Sequence, residues 1–277
     1  MDIENRALLI YSAEDIKRNK WFTDRLTEKA ACYGTELKLI TSDECRDEYM
    51  VENGLWDNKP AFIINRSREA DISEWFENKG IRSFNNSETI RTGNDKYAEY
   101  ELFESRKLPV METVTGGSAP ESIPFEAPYI IKKRNGHGGS DVFKFETKDA
   151  LGTFLVDKDP SLYIIQKMCD EPGVDMRLYL LGGKVIASVI RTSEKDFRSN
   201  YSLGGKAETT EVPEDIRTAS EAIARGLSAD YIAIDLIRNN GGWVYNEIED
   251  AAGARMLYEL TDIDIASDFI HYIFEST

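Results

Sequence analysis

The apolar and polar positions lay out an alternation of strands and helices. Residues 7–11 are an apolar run, and Ser12-Ala13-Glu14-Asp15 follows as a capping-box-like helix start. The helix places Phe22, Leu26, Ala30 and Tyr33 on one side and ends at Gly34. Residues 37–40 and 61–64 read as strands, and Ile72, Trp75 and Phe76 predict a short helix before Gly80 and a further segment at 81–84. This β-α-β order predicts a small parallel sheet. The charged stretch 43–52 is expected to be a solvated connection or irregular helix without a functional role.

A boundary falls near Gly93, because Asn94-Asp95-Lys96 opens a new helix that runs through Arg106 and stops at Leu108-Pro109. Asn94 and Asp95 are its N-cap candidates, and Tyr97, Tyr100 and Phe103 are spaced to pack. A loop over 116–128, rich in Gly, Ser, Pro and Glu, leads into a strand at 129–133. Residues 149–155 suit a short helix, 162–168 a strand, and 169–174 a hinge-like turn. Residues 178–181 and 184–191 then predict a hairpin with Arg177 and Arg191 at its outer ends. Pro213 fits the first turn of a helix carrying Ile216, Ala219, Ile223 and Leu227, and residues 263–274 form a closing amphipathic helix.

Two stretches carry candidate chemistry. Residues 231–237 alternate apolar side chains around Asp235, Asn239-Asn240-Gly241-Gly242 can turn the chain, and 243–248 returns with Glu247 and Glu249 two apart. Side chains two apart on a strand share a face. A hairpin therefore brings Asp235 near both glutamates, an oxygen-rich set suited to Mg²⁺ held between protein and phosphates. An exposed acidic hairpin in an acidic protein is the alternative. The second stretch, Asn135-Gly136-His137-Gly138-Gly139-Ser140, is a glycine turn between two strands whose amides can close over an anion. It lacks the lysine-ending P-loop spacing, and a structural hairpin is the competing reading. Lys132 just upstream can bring its charge to the same phosphates. In the polar stretch 191–207, Arg198, Asn200 and Lys206 suggest either a local anion pocket or a solvated loop.

Composition narrows the field. The chain has 277 residues, 41% hydrophobic and 30% charged, enough for two or three packed lobes. A net charge of −16 disfavours non-specific binding to nucleic acid or anionic membranes while leaving small anions in local basic pockets. No apolar run is long enough to span a membrane and the first residues have no signal-peptide pattern, so a cytoplasmic protein is expected. Cys32, Cys45 and Cys169 have neither metal-ligand nor disulfide-framework spacing. His271 is expected to be a packed or surface residue, and His137 draws attention only through its loop.

The collinear set Asn94-Asp95-Lys96, 129–132 with its glycine loop, 164–168, Asp175-Met176-Arg177, 197–200 with Gly204-Gly205-Lys206, Ala233-Ile234-Asp235 and Glu247-Ile248-Glu249 resembles the ATP-grasp enzymes. The resemblance is strongest to their ribosomal S6-glutamate-ligase-like (RimK-like) branch of carboxylate–amine ligases. It implies an α/β protein with an ATP-grasp fold: a small N-terminal parallel α/β domain at 1–93, a central and lid subdomain at 94–185 and a metal-binding subdomain at 186–277. It further implies that Lys96, Lys132 and the loop Gly136, His137, Gly138, Gly139 and Ser140 contact ATP. Gln166, Lys167 and Met168 would border adenine, the latter two through the backbone, with Asp175 in a matching motif and Asn200 near the phosphates. Asp235, Glu247 and Glu249 would hold Mg²⁺, and Arg177, Arg191 and Arg198 would meet an acyl phosphate or substrate carboxylate.

The implied activity is amide formation through an acyl phosphate, on an amino acid or a peptide or protein acceptor, by a protein that can pair as a homodimer. An ATP-binding regulator without turnover and a small-molecule kinase on the same fold are the alternatives. Two departures stand out: Glu249 occupies a position that is usually Asn in this branch, and residues 249–255 replace a Ser-rich, Pro-Gly segment.

Overall fold

A computed structural model of the chain describes residues 6–50, 59–118, 120–139, 141–193 and 205–276. The strands β1 (Arg6–Tyr11), β2 (Glu36–Thr41), β3 (Phe62–Asn65) and β4 (Arg82–Phe84) form a parallel sheet in the order β2-β1-β3-β4. Parallel neighbours need crossovers, and α1 (Ala13–Ala31), α2 (Ser42–Glu48) and α3 (Ala70–Glu77) lie within them. Ser12 caps α1 by accepting the Asp15 amide, and Gly34 closes it at φ 72°. The charged stretch after residue 42 is a regular helix where it is described, because Thr41 and Glu44 complete a capping box.

Beyond α4 (Ser87–Gly93), Asp95 rather than Asn94 caps α5 (Lys96–Ser105), accepting the amides of Tyr97 and Ala98. A second, antiparallel sheet follows: β5 (Thr113–Thr115), β6 (Tyr129–Lys133), β7 (Val142–Phe145) and β8 (Tyr163–Lys167), in the order β5-β8-β6-β7, with α6 (Lys148–Leu155). The third sheet contains β9 (Val174–Leu181), β10 (Lys184–Thr192), β11 (Lys206–Thr209), β12 (Tyr231–Asn239) and β13 (Gly242–Glu249), in the order β11-β10-β9-β12-β13. The expected boundary at residue 185 falls inside the β9–β10 hairpin, whose strands share one sheet; the second and third sheets part between Lys167 and Val174. Helix α7 (Glu214–Gly226) packs on the third sheet, and α8 (Arg255–Leu260) and α9 (Ile265–Ser276) close the chain.

The cores show which parts are packed together. One face of the first sheet and one of the third share a single apolar core with α1 and α9, through residues such as Leu9, Phe22, Tyr231 and Phe269. The buried Asn85 fastens the two sheets further, donating to the carbonyls of Tyr231 and Asp250 and accepting the amides of Asp230 and Tyr231. The second sheet has its own smaller core around Phe125, Tyr129, Leu151 and Ile165. Among the described residues no helix is long and apolar enough to cross a membrane.

Candidate active site

The acidic hairpin is the floor of a cavity. Asn240 and Gly241 turn the chain at φ 50° and 69°, the left-handed pair of a tight hairpin turn. Asp235 lies directly opposite Glu247, but Leu236 lies opposite Tyr245, so Asn246 is an extra residue in β13. This bulge re-aims the strand. Tyr245 packs into the core beside Phe103, whereas Glu247, two residues on, lines the cavity. Asp235, Asn246, Glu247 and Glu249 all border the same space.

Cations from four other elements converge on these oxygens. Arg177 on β9 grips Asp235 with two hydrogen bonds of 2.7 Å and reaches Glu249 at 3.1 Å. Arg191 on β10 holds Asp175 at 2.5 and 2.7 Å and Asp235 at 2.8 Å. Arg191 stands one residue from the outer end of the hairpin, close to where the sequence put it, whereas β9 extends three residues past Arg177; both side chains are buried. Lys132 on β6 donates to Asn246 Oδ1 at 2.8 Å and lies 3.4 Å from Glu247, while Lys96 donates to the Gly136 carbonyl at 3.0 Å and lies 3.7 Å from Glu247. Burial opposes ionisation of Asp235, yet Arg177 and Arg191 outweigh it and hold the carboxyl far below the usual range. Lys96 and Lys132 likewise overcome burial at Glu247 and lower its pKa.

These residues give a hard, all-oxygen donor set of the kind Mg²⁺ takes, although Arg177 and Arg191 both donate to Asp235 Oδ2 and use its two lone pairs. As they stand, no three His, Cys, Asp or Glu side chains among the described residues are grouped closely enough to hold an ion. Arginine and lysine occupy the intervening positions.

The roof is the glycine turn. Gly136, His137, Gly138 and Gly139 line the cavity, with Gly138 and Gly139 at φ 67° and 77°, where side chains are disfavoured. Gln166, Lys167, Met168 and Asp175 complete the wall. The amides of Lys167 and Met168 donate to the carbonyls of Glu112 and Pro128 at 2.9 and 3.1 Å, so both hinge amides are engaged within the protein. Ser140, Arg198 and Asn200 lie outside the described residues. Arg177 borders an adjoining second cavity of about 520 Å³, which shares Gly138, Arg191 and Glu249 with the first.

Sequence reasoning missed three residues here. Asn246 was hidden because strand alternation gives no sign of the bulge. Glu99, fully buried on α5, accepts the Ile248 amide at 2.7 Å between the two glutamates. Arg68 follows β3 in the left-handed region at φ 67° and pairs with Asp15; its signal was Arg66-Ser67-Arg68 at the carboxyl end of a parallel strand, where open sheets place ligands.

Comparison with known proteins identifies the fold and the family. A D-alanine–D-alanine ligase from Bacillus anthracis, solved in complex with ATP, superposes with a TM-score of 0.74 over 98% of this chain and 96% of that one. At 16% identity this is a likeness of fold, and it establishes the ATP-grasp architecture. An uncharacterized protein MG011 homolog from Mycoplasma pneumoniae is 32% identical over 266 residues, spanning 93% of this chain and 88% of its own. A probable alpha-L-glutamate ligase from Maridesulfovibrio salexigens is 28% identical over 284 residues, spanning 93% and 92%. The RimK-like ATP-grasp domain description matches residues 112–273, more than half of the sequence, and the chain belongs to that family of ATP-dependent carboxylate–amine ligases.

Proposed function

We propose that the protein joins a carboxylate to an amine at the expense of ATP, through an acyl phosphate, on an amino acid or peptide substrate. The observation that supports this most strongly is the facing of the buried Lys132, the half-buried Lys96 and a glycine turn against three carboxylates across one cavity. Lys96 and Lys132 converge on Glu247, and Lys96 also on the glycine-turn carbonyl, where they could meet phosphate charge. The cavity measures about 140 Å³. Pockets that enclose drug-sized ligands run to roughly 300–1,000 Å³. A shift of the second sheet, which has its own core, would enlarge the cavity for a nucleotide.

In the first step a substrate carboxylate oxygen bonds to the γ-phosphorus as the β–γ bridging bond breaks, and ADP leaves with the electron pair. In the second, the amine nitrogen bonds to the acyl carbon, the C–O bond to phosphate breaks, and phosphate leaves with that pair and takes up the two protons the ammonium sheds. Bound Mg²⁺, held by Asp235, Glu247 and Glu249, would supply charge neutralisation at the phosphates. Arg191 lines both cavities and Arg177 the second, and the two would orient the carboxylate and its acyl phosphate. Loop closure by residues 136–139 excludes water from an intermediate that hydrolysis would waste.

The test is calorimetry of ATP binding with Mg²⁺ and with EDTA, on the parent chain and on Asp235→Asn and Glu247→Gln. Both variants should lose most of the affinity that Mg²⁺ adds, about tenfold or more. A Mg²⁺-dependent gain unchanged in both contradicts the metal assignment.

A further inference from the structure

We infer that Asp170 and Glu171 are positioning residues: by gripping the tip of the β12–β13 hairpin, they set how the adenine side of the first cavity stands against its floor. The inference rests on the ATP reading above. Both residues lie in the segment 168–173, which joins β8 of the second sheet to β9 of the third. These two sheets have separate cores, so their spacing depends on contacts of the kind this segment makes.

The grip is a turn that receives carboxylates. Asn240 and Gly241 both take the left-handed conformation, and a two-residue turn of this kind points its successive amides outward, where the strand ladder leaves them no acceptor. Asp170 accepts the Asn240 amide on both oxygens at 2.9 Å, and Glu171 accepts the Gly241 amide at 3.2 Å. The pairing is reciprocal, because the Asp170 amide donates to Asn239 Oδ1 at 3.2 Å. Arg238 adds a cation 3.8 Å from Glu171. On either side the segment has little slack. The Met168 amide donates to the Pro128 carbonyl at 3.1 Å, Pro172 has a fixed φ, and the Gly173 carbonyl accepts the Ser193 amide at 2.8 Å.

What the grip controls follows from the lining. Met168 and Cys169 precede the gripping pair, Pro172 follows it, Ile237 lies just before the turn, and all four border the first cavity. These side chains suit the faces of a purine, whereas Lys96, Lys132 and the carboxylates suit phosphates and metal. Asn240 is about 17 Å of strand from Asp235, so the grip acts at the end of the hairpin away from the metal ligands. Asp170 and Glu171 are themselves exposed, and neither fills nor neutralises a core. Their removal therefore acts on the spacing of the cavity more than on the fold.

The experiment is calorimetry on the full chain with Mg-ATP and, separately, with Mg-tripolyphosphate, which has the phosphates without the base. Asp170→Ala combined with Glu171→Ala should weaken Mg-ATP binding tenfold or more and leave Mg-tripolyphosphate affinity within threefold of the parent. Asp170→Asn combined with Glu171→Gln keeps an acceptor oxygen for each amide and should bind Mg-ATP within threefold of the parent. Four results overturn the inference and leave the ligase reading standing: a Mg-ATP loss below tenfold in the alanine pair, a comparable loss for tripolyphosphate, no tripolyphosphate binding to the parent, or an amide pair as weak as the alanine pair. Absence of Mg-ATP binding to the parent overturns both.

Discussion

Asp235 is the residue on which the site's charge balance turns. Two guanidinium groups from strands β9 and β10 meet on its carboxylate, and Arg177 reaches beyond it to Glu249. Removing one partner of a buried ion pair leaves charge uncompensated and typically costs about 3–5 kcal/mol. Arg177→Met should lower the unfolding free energy by that order in denaturant titrations; a change below about 1 kcal/mol would mean that Arg191 alone suffices. The residue types at these positions were legible in the sequence. Their mutual pairing was not, because it joins positions 58 and 44 apart in the chain. Glu249, the departure from the usual Asn, has a physical counterpart here: Arg177 is placed to neutralise the added charge.

At the scale of elements, the β12–β13 hairpin owes its usefulness to its bulge. The strands and the Asn240-Gly241 turn were readable from apolar alternation and turn chemistry, but a single extra residue in one strand leaves no periodic signature. Behind the bulge, Glu99 secures β13 by accepting the Ile248 amide, and burial pushes its own pKa well above the usual range. Glu99→Ala orphans a buried N–H and should cost about 1–3 kcal/mol, whereas Glu99→Gln keeps an acceptor and should retain most of that stability. Thermal or urea unfolding of the two variants checks this; equal loss in both would show that the carboxyl does more than accept. The cap of α5 was narrowed in advance to two neighbours, and the choice fell to Asp95, whose second partner Arg134 is distant in sequence.

The molecule as a whole divides by its cores: the first and third sheets share one, and the second sheet stands on its own. Sequence patterning yields strands and helices but not which faces meet, which is why the β9–β10 hairpin had to be assigned to its sheet from structure. The shared part carries a pH-sensitive joint. Asp230, buried between Arg82 of β4 and Tyr272 of α9, is pushed up to about 7 by burial. The folded state thus holds this proton more tightly than the unfolded chain, whose carboxyl titrates near 3.8, so its contribution to stability is full below that value and is lost as pH rises toward about 7. Asp250, raised to about 6, acts in the same direction. Urea unfolding at about pH 5 and about pH 8 should show a smaller fall in stability for Asp230→Asn than for the parent, and an identical fall would contradict the assignment.

The central claim is that this cavity, with ATP bound, makes an amide. Its most direct measurement is incubation of the purified chain with Mg-ATP and a panel of amino acids and peptides, following ADP, free phosphate and the mass of every new product. The account predicts equal amounts of ADP, phosphate and a product whose mass is the sum of two panel members less one water. Phosphate retained on the acceptor, or bound ATP that yields no ADP with any member of the panel, would contradict it.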